Sequence, residues 1–102
     1  MPNTYVTTMV NVPFRHFPAQ EIKAFNALCA DCNMAADGFS IFAMCPEMRS
    51  SGIVKRARII YVNYEPTGRQ QQYLVIPEQP DWLGMFGTEL RGGYYSGAPM
   101  EA

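Results

Sequence analysis

The sequence predicts an α+β fold in which four strands form a mainly antiparallel sheet and one helix packs on one face, in the order β-α-β-β-β. One segment has the apolar spacing of a helix, four segments have strand-like composition, and a proline-glycine turn joins the last two strands. A chain of 102 residues, 48% of them hydrophobic, suits a single core. We expect one domain over residues 1–90 and a flexible, glycine-rich tail over residues 91–102.

The first strand is predicted over residues 4–14, which are rich in β-branched and aromatic residues. Val10 and Val12 lie on one face of this strand, opposite Met9 and Asn11. Pro13 removes a backbone donor, so the strand should end there or lie at an edge of the sheet.

The helix is predicted over residues 18–33. Pro18 suits the first turn, where its missing N–H needs no partner, and Asn33 suits a left-handed cap at the end. Apolar residues recur every three or four positions and define one buried face: Ile22, Phe25, Leu28, Cys29 and Cys32.

Three further strands are predicted over residues 39–45, 53–64 and 70–76. Pro46 should end the second strand, and residues 47–52 should form a loop. The mixed faces of residues 53–64 indicate a bulge or partial exposure. Residues 65–68, Glu-Pro-Thr-Gly, predict a hairpin turn into the last strand.

Pro77 and Pro80 interrupt regular structure after the hairpin. Asp81 is a candidate cap for one short turn that carries Trp82, Leu83 and Phe86. The tryptophan suits either a buried plug over the end of the sheet, which we favour, or an exposed anchor for a partner.

The segment of residues 39–45, FSIFAMC, is apolar on both of its faces. One helix covers only one face of a sheet, so the other face should carry an apolar patch that includes Tyr5, Met9, Phe42 and Met44. Only 17% of the residues are charged, which also favours a surface shared with a partner. We therefore expect a homodimer or a protein partner.

Positive charge is concentrated in residues 49–69, which contain five basic residues and one acidic residue. This segment has a net charge of +4 in a chain whose total is −1. Solvated charges that protect an edge strand, contact with a partner protein, and binding of RNA or DNA all remain open. The candidate partner-binding residues are Arg49, Lys55, Arg56, Arg58, Tyr61, Tyr64, Arg69 and Trp82.

The three cysteines and the single histidine form a weak candidate site for zinc or thiol redox chemistry, made of His16, Cys29, Cys32 and Cys45. Cys29 and Cys32 both fall on the apolar stripe of the helix, near its C-terminal end, so we favour core cysteines. No cofactor is expected. The carboxylates are scattered, and no phosphate-binding loop is present.

These observations predict a small, non-enzymatic binding protein that acts by protein–protein contact. By analogy alone, phage- or plasmid-encoded inhibitors of a host nucleoprotein or enzyme are of this kind. The alternatives are a nucleic-acid-binding module that uses residues 53–64, and the zinc or redox protein. Reversing the charges of Arg56 and Arg58 should abolish binding without lowering thermal stability.

The first residues lack a secretory signal pattern, and no apolar run spans a membrane, so we expect a cytoplasmic location.

Overall fold

A computed structural model describes residues 5–50 and 53–97, without the side chains of residues 5–8, 47–50 and 53–56. Its longer elements are β1 (Tyr5–Pro13), α1 (Ala19–Asp31), β2 (Phe39–Ser50), β3 (Ile53–Arg56), β4 (Arg58–Tyr64), β5 (Arg69–Val75) and α2 (Trp82–Arg91). Single 3-10 turns, Phe14–His16 and Ala36–Gly38, connect the first three of these.

The sheet has the strand order β1-β2-β4-β5, and every neighbouring pair is antiparallel. β3 pairs with the distal part of β2, beyond the end of β4. The predicted α+β class and the antiparallel sheet are confirmed. The first helix and the hairpin between β4 and β5 also lie where they were predicted, and Asn33 adopts the left-handed conformation, with φ of 58°.

β2 continues through Pro46 to Ser50, so the predicted strand end at Pro46 is wrong, and the predicted loop over residues 47–52 is wrong as far as residue 50. Residues 51 and 52 lie outside the described residues. The Pro46 carbonyl accepts a hydrogen bond from Ala57 N at 3.4 Å. The N–H and C=O of one residue point to the same side of a strand. Pro46 therefore lacks a hydrogen-bond donor on the side that faces Ala57. The effect of the proline is therefore to interrupt the neighbouring strand at Ala57, which separates β3 from β4.

α2 is a full helix rather than the short turn expected after Asp81. The Asp81 carboxylate caps it by accepting a hydrogen bond from Gly84 N at 3.0 Å. Trp82, Phe86 and Leu90 follow at intervals of four and are all buried. In the described part of the chain, two helices rather than the predicted one therefore cover the sheet. Burial of the apolar stripe of α2 outweighs the low helix propensity of its two glycines.

The core lies between the helices and one face of the sheet, and aromatic rings fill its centre. The Phe39 ring of β2 lies 5.5 Å from Phe25 of α1 and 5.7 Å from Phe86 of α2, measured between ring centroids. Trp82 has no exposed surface, which agrees with the plug interpretation. None of the helices in the described ranges is long and apolar enough to cross a membrane.

Residues after α2, up to Gly97, return to the core, although their composition predicts a flexible tail from residue 91. Tyr95 has no exposed surface. Its hydroxyl bonds the Tyr73 hydroxyl at 2.5 Å, and Thr67 Oγ1 donates to its carbonyl at 2.7 Å. A buried aromatic ring thus holds this segment against the sheet, which corrects the prediction up to residue 97. The rest of the predicted tail, residues 98–102, lies outside the described residues.

Replacing Tyr95 with alanine should lower the free energy of unfolding by about 3–5 kcal/mol, because a wholly buried aromatic side chain is lost. Ser96→Ala, an exposed position in the same segment, should change it by less than about 0.5 kcal/mol. Urea unfolding followed by tryptophan fluorescence measures both. Equal midpoints for Tyr95→Ala and the parent protein would show that residues 92–97 do not belong to the core.

Candidate binding surface

The face of the sheet opposite the helices carries its own set of side chains, which we call the open face. Directly opposed residues in antiparallel strands point to the same side, so the registers define it. Among residues with described side chains, it includes Met9, Asn11, Ser40, Phe42, Met44, Ile59, Tyr61, Asn63, Gln70, Gln72 and Leu74. None of these eleven side chains is charged.

Exposed apolar side chains extend across the open face, from Met9 on the edge strand β1 through Phe42 on β2 to Leu74 on the edge strand β5. Met9 is 50% exposed, Phe42 37% and Leu74 52%, which are high values for large apolar side chains. The Phe42 and Tyr61 rings stack across β2 and β4, with centroids 4.8 Å apart and planes 8° from parallel. The stack holds two aromatic groups in fixed positions at the middle of the face.

Polar side chains surround one end of this aromatic pair and line an open groove of about 610 Å³ with it. Ser40 Oγ and Asn63 Nδ2 donate to Glu65 Oε2 at 2.6 and 2.8 Å. These two hydrogen bonds lower the pKa of the exposed Glu65 carboxyl below its ordinary value. The carboxylate therefore stays ionised at the rim, while Gln70 and Gln72 offer neutral donors and acceptors in the groove.

Arg58, a candidate contact residue, is held within the fold instead of projecting freely. Its guanidinium makes two hydrogen bonds to the Glu21 carboxylate of α1, at 2.9 and 3.0 Å, and lies 4.9 Å from the centre of the Phe17 ring. Trp82 Nε1 donates to the same carboxylate at 3.2 Å. This cluster joins α1, β4 and α2, so the charge of Arg58 serves the packing of the helices on the sheet.

The other predicted contact residues do not converge on one surface. Tyr61 lies on the open face, whereas Tyr64 faces the helices and packs on Phe39, with centroids 4.6 Å apart. The Arg69 guanidinium lies 5.5 Å from the Tyr94 ring centre, and Trp82 has no surface with which to contact a partner. The described side chains therefore do not assemble a continuous basic and aromatic site.

Arg49, Lys55 and Arg56 lie on β2 and β3, but their side chains are outside the described residues. In the backbone register, Lys55 is opposite Met48 and Arg56 is opposite Glu47. Their role in binding stays a prediction.

The cysteines and the histidine do not form a common site within the described residues, where no three metal-binding side chains of the His, Cys, Asp or Glu type cluster. Cys29 is buried in the core, Cys32 and Cys45 are half-buried, and His16 is exposed in the turn after β1. Burial, with a smaller contribution from Cys32, raises the pKa of the Cys29 thiol to about 11. The thiol is thus protonated and unreactive at neutral pH.

Comparison of the chain with protein families, with curated proteins and with solved structures finds no match.

Several open-face residues escaped the sequence reasoning, notably Ile59, Gln70, Gln72 and Leu74. Their alternation was visible in the sequence, but alternation alone does not show which of two faces the helices cover. The prediction of an apolar patch did include Met9, Phe42 and Met44, and all three lie on the open face. The side chain of Tyr5 is outside the described residues.

Arg58→Glu should lower the free energy of unfolding by roughly 2–3 kcal/mol, because it removes two charge-assisted hydrogen bonds and brings a second carboxylate to Glu21. The sequence alone predicts no loss of stability when the charges of Arg56 and Arg58 are reversed together, whereas the contacts of Arg58 with Glu21 predict a loss. Lys23→Glu, the same charge change at an exposed site on α1, should have little effect. Thermal unfolding measures the stability of both variants. Equal midpoints would contradict the role of Arg58 in holding α1 and α2 on the sheet.

In the native protein at pH 8, Cys29 should be the slowest of the three thiols to react with a small alkylating agent. It is 1% exposed, and its thiolate becomes abundant only near pH 11. Mass spectrometry of digested samples, taken at successive times, gives the three rates separately. A rate for Cys29 equal to that of Cys32 would contradict the described packing, and a denatured sample supplies the reference rates.

Proposed function

We propose that this chain is a small, non-enzymatic binding protein that acts by protein–protein contact, and that the open face is its contact surface. The observation that carries the proposal is the exposure of large apolar side chains on a sheet face that neither described helix covers. A contiguous apolar patch exposed to water on a folded domain is a mark of an interaction site.

The chemistry of the open face supports a protein as the partner. The centres of protein interfaces are depleted of charged residues and enriched in aromatic residues and methionine. Phe42, Tyr61, Met9 and Met44 supply such groups, and Glu65 provides charge only at the rim. Apolar contact at the centre would supply affinity, while the amides of the groove would select partners with matching hydrogen-bonding groups.

The positions of the titratable groups favour binding over catalysis. The Glu21 carboxylate accepts hydrogen bonds from Arg58 and Trp82. The Glu89 carboxylate accepts hydrogen bonds from Tyr73 at 2.5 Å and Gln71 at 2.7 Å. These carboxylates join structural elements to one another. A protein that only covers a surface of its partner acts as an inhibitor when that surface is the partner's working site.

A homodimer and a cytoplasmic location belong to the same proposal. The surplus of apolar strand surface favours association of the chain with itself as well as with a partner. Cys29, Cys32 and Cys45 are free thiols, which suits a reducing compartment.

Leu74→Lys should weaken partner binding at least tenfold while the protein stays folded, because it places a charge on the apolar open face, at a side chain that is already 52% exposed. Asn26→Lys adds the same charge on the exposed side of α1 and should leave binding unchanged. Affinity capture from an extract of the native host, with all three proteins as bait, identifies the partner. Calorimetry with the purified partner then gives the three affinities.

The proposal fails if the parent protein captures nothing specific, or if Leu74→Lys and Asn26→Lys bind alike. Titration with single-stranded oligonucleotides tests the nucleic-acid alternative. An affinity that falls steeply with salt would favour that alternative, since release of counterions accompanies binding to phosphates.

A further inference from the structure

The outer edge of β1 is the second unusual surface of the molecule. In the described part of the chain, β1 pairs with β2 alone, so one of its two edges has no strand beside it. Natural proteins protect such edges with charged residues, prolines or bulges. β1 has a bulge between Val6 and Thr8 and a proline at position 13, but between them its residues are regular and uncharged.

The middle of this edge is exposed on both faces of the sheet. Met9, on the open face, is 50% exposed. Val10 lies opposite Cys45, on the side where the helices pack, and is still 49% exposed. The helical layer covers Val12 of β1 but leaves Val10 exposed. Val10 and Met9, two adjacent apolar side chains, therefore meet water at the point where the backbone edge is also unpaired.

We propose that β1 pairs in antiparallel fashion with β1 of a second copy of this chain, about a twofold axis near Met9 and Val10. Such pairing places each residue opposite or diagonal to a residue of the same strand, so any charge near the axis would meet its own copy and repel it. All nine residues of β1 are uncharged, so no such repulsion arises. The pairing supplies main-chain hydrogen bonds and covers Val10 on one face and Met9 on the other.

The twofold axis runs perpendicular to the sheet, and this has a direct consequence for the open face. Both open faces lie on the same side of one continuous sheet, with the strand order β5-β4-β2-β1-β1-β2-β4-β5. Four strands span about 19 Å and eight span about 38 Å, so for strands about 20 Å long the flat area rises from roughly 400 to roughly 800 Å². The larger flat area is of the same order as the roughly 800 Å² of accessible surface that each partner contributes to a standard protein interface.

The proposed edge pairing is inferred from β1 alone. Only the enlarged contact surface rests on the proposed function. The two ideas separate experimentally because Val10 is not on the open face. Val10→Lys and Val10→Glu each place like charges near the axis without altering the open face. Leu74→Lys alters the open face and lies on β5, at the far side of the sheet.

Sedimentation velocity over a range of concentrations measures the oligomeric state of each protein. The parent protein and Leu74→Lys should sediment as dimers, and Val10→Lys and Val10→Glu should each sediment as monomers. An equimolar mixture of the two Val10 variants should recover the dimer, because opposite charges then meet near the axis. Circular dichroism confirms that each variant is folded.

A second measurement needs no substitution. Amide hydrogen exchange in residues 9–12 should slow when the parent protein is concentrated above its dissociation constant, while exchange in β5 should not change. The proposal is overturned if the parent protein is a monomer at every concentration, if Val10→Lys remains a dimer, or if only the open-face variant dissociates. The last result would mean that copies associate through their open faces. Pairing of β1 with a strand of a different protein would appear as protection of residues 9–12 only in the presence of that protein.

Discussion

The fold depends on the unequal covering of its sheet. Both helices pack on one side, where the Phe25, Phe39 and Phe86 rings meet, and they leave the opposite side to solvent. In the described part of the chain, nothing supplies a third layer. Because burial of apolar surface is the main favourable term in folding, the covered side provides the stability of the domain. The open side, with Phe42, Tyr61 and Leu74, is free for association.

The parts of the structure that join the two layers are polar as well as apolar. Glu21 connects α1 to Arg58 of β4 and to Trp82 of α2, and Glu89 connects α2 to two side chains of β5. These contacts give both carboxylates a structural role in joining the helices to the sheet. They also explain why charge concentrated in one segment of a sequence need not become a charged surface, since Arg58 and Arg69 each lie against an aromatic ring.

Local patterns predicted the elements whose structure is decided locally. The spacing of Phe25 and Cys29 located α1, and the Glu65–Gly68 turn located the last hairpin. The errors arose where contacts between distant residues decide the structure. Pro46 continues a strand because β1 supports it on one side, and Tyr95 is ordered because Thr67 and Tyr73 bind it. An apolar patch was predictable because the strands carry more apolar surface than the helices cover. Which residues belong to it could be listed only once the face covered by the helices was known.

The central claim is that the chain itself leaves the open face in contact with solvent, and paramagnetic relaxation by a soluble, uncharged agent tests it most directly. In isotope-labelled protein, the account predicts strong relaxation of the methyl groups of Met9, Met44, Ile59 and Leu74, and little relaxation of those of Ile41, Ile60 and Val62. Protection of the first group to the level of the second, in dilute protein without a partner, would contradict the account.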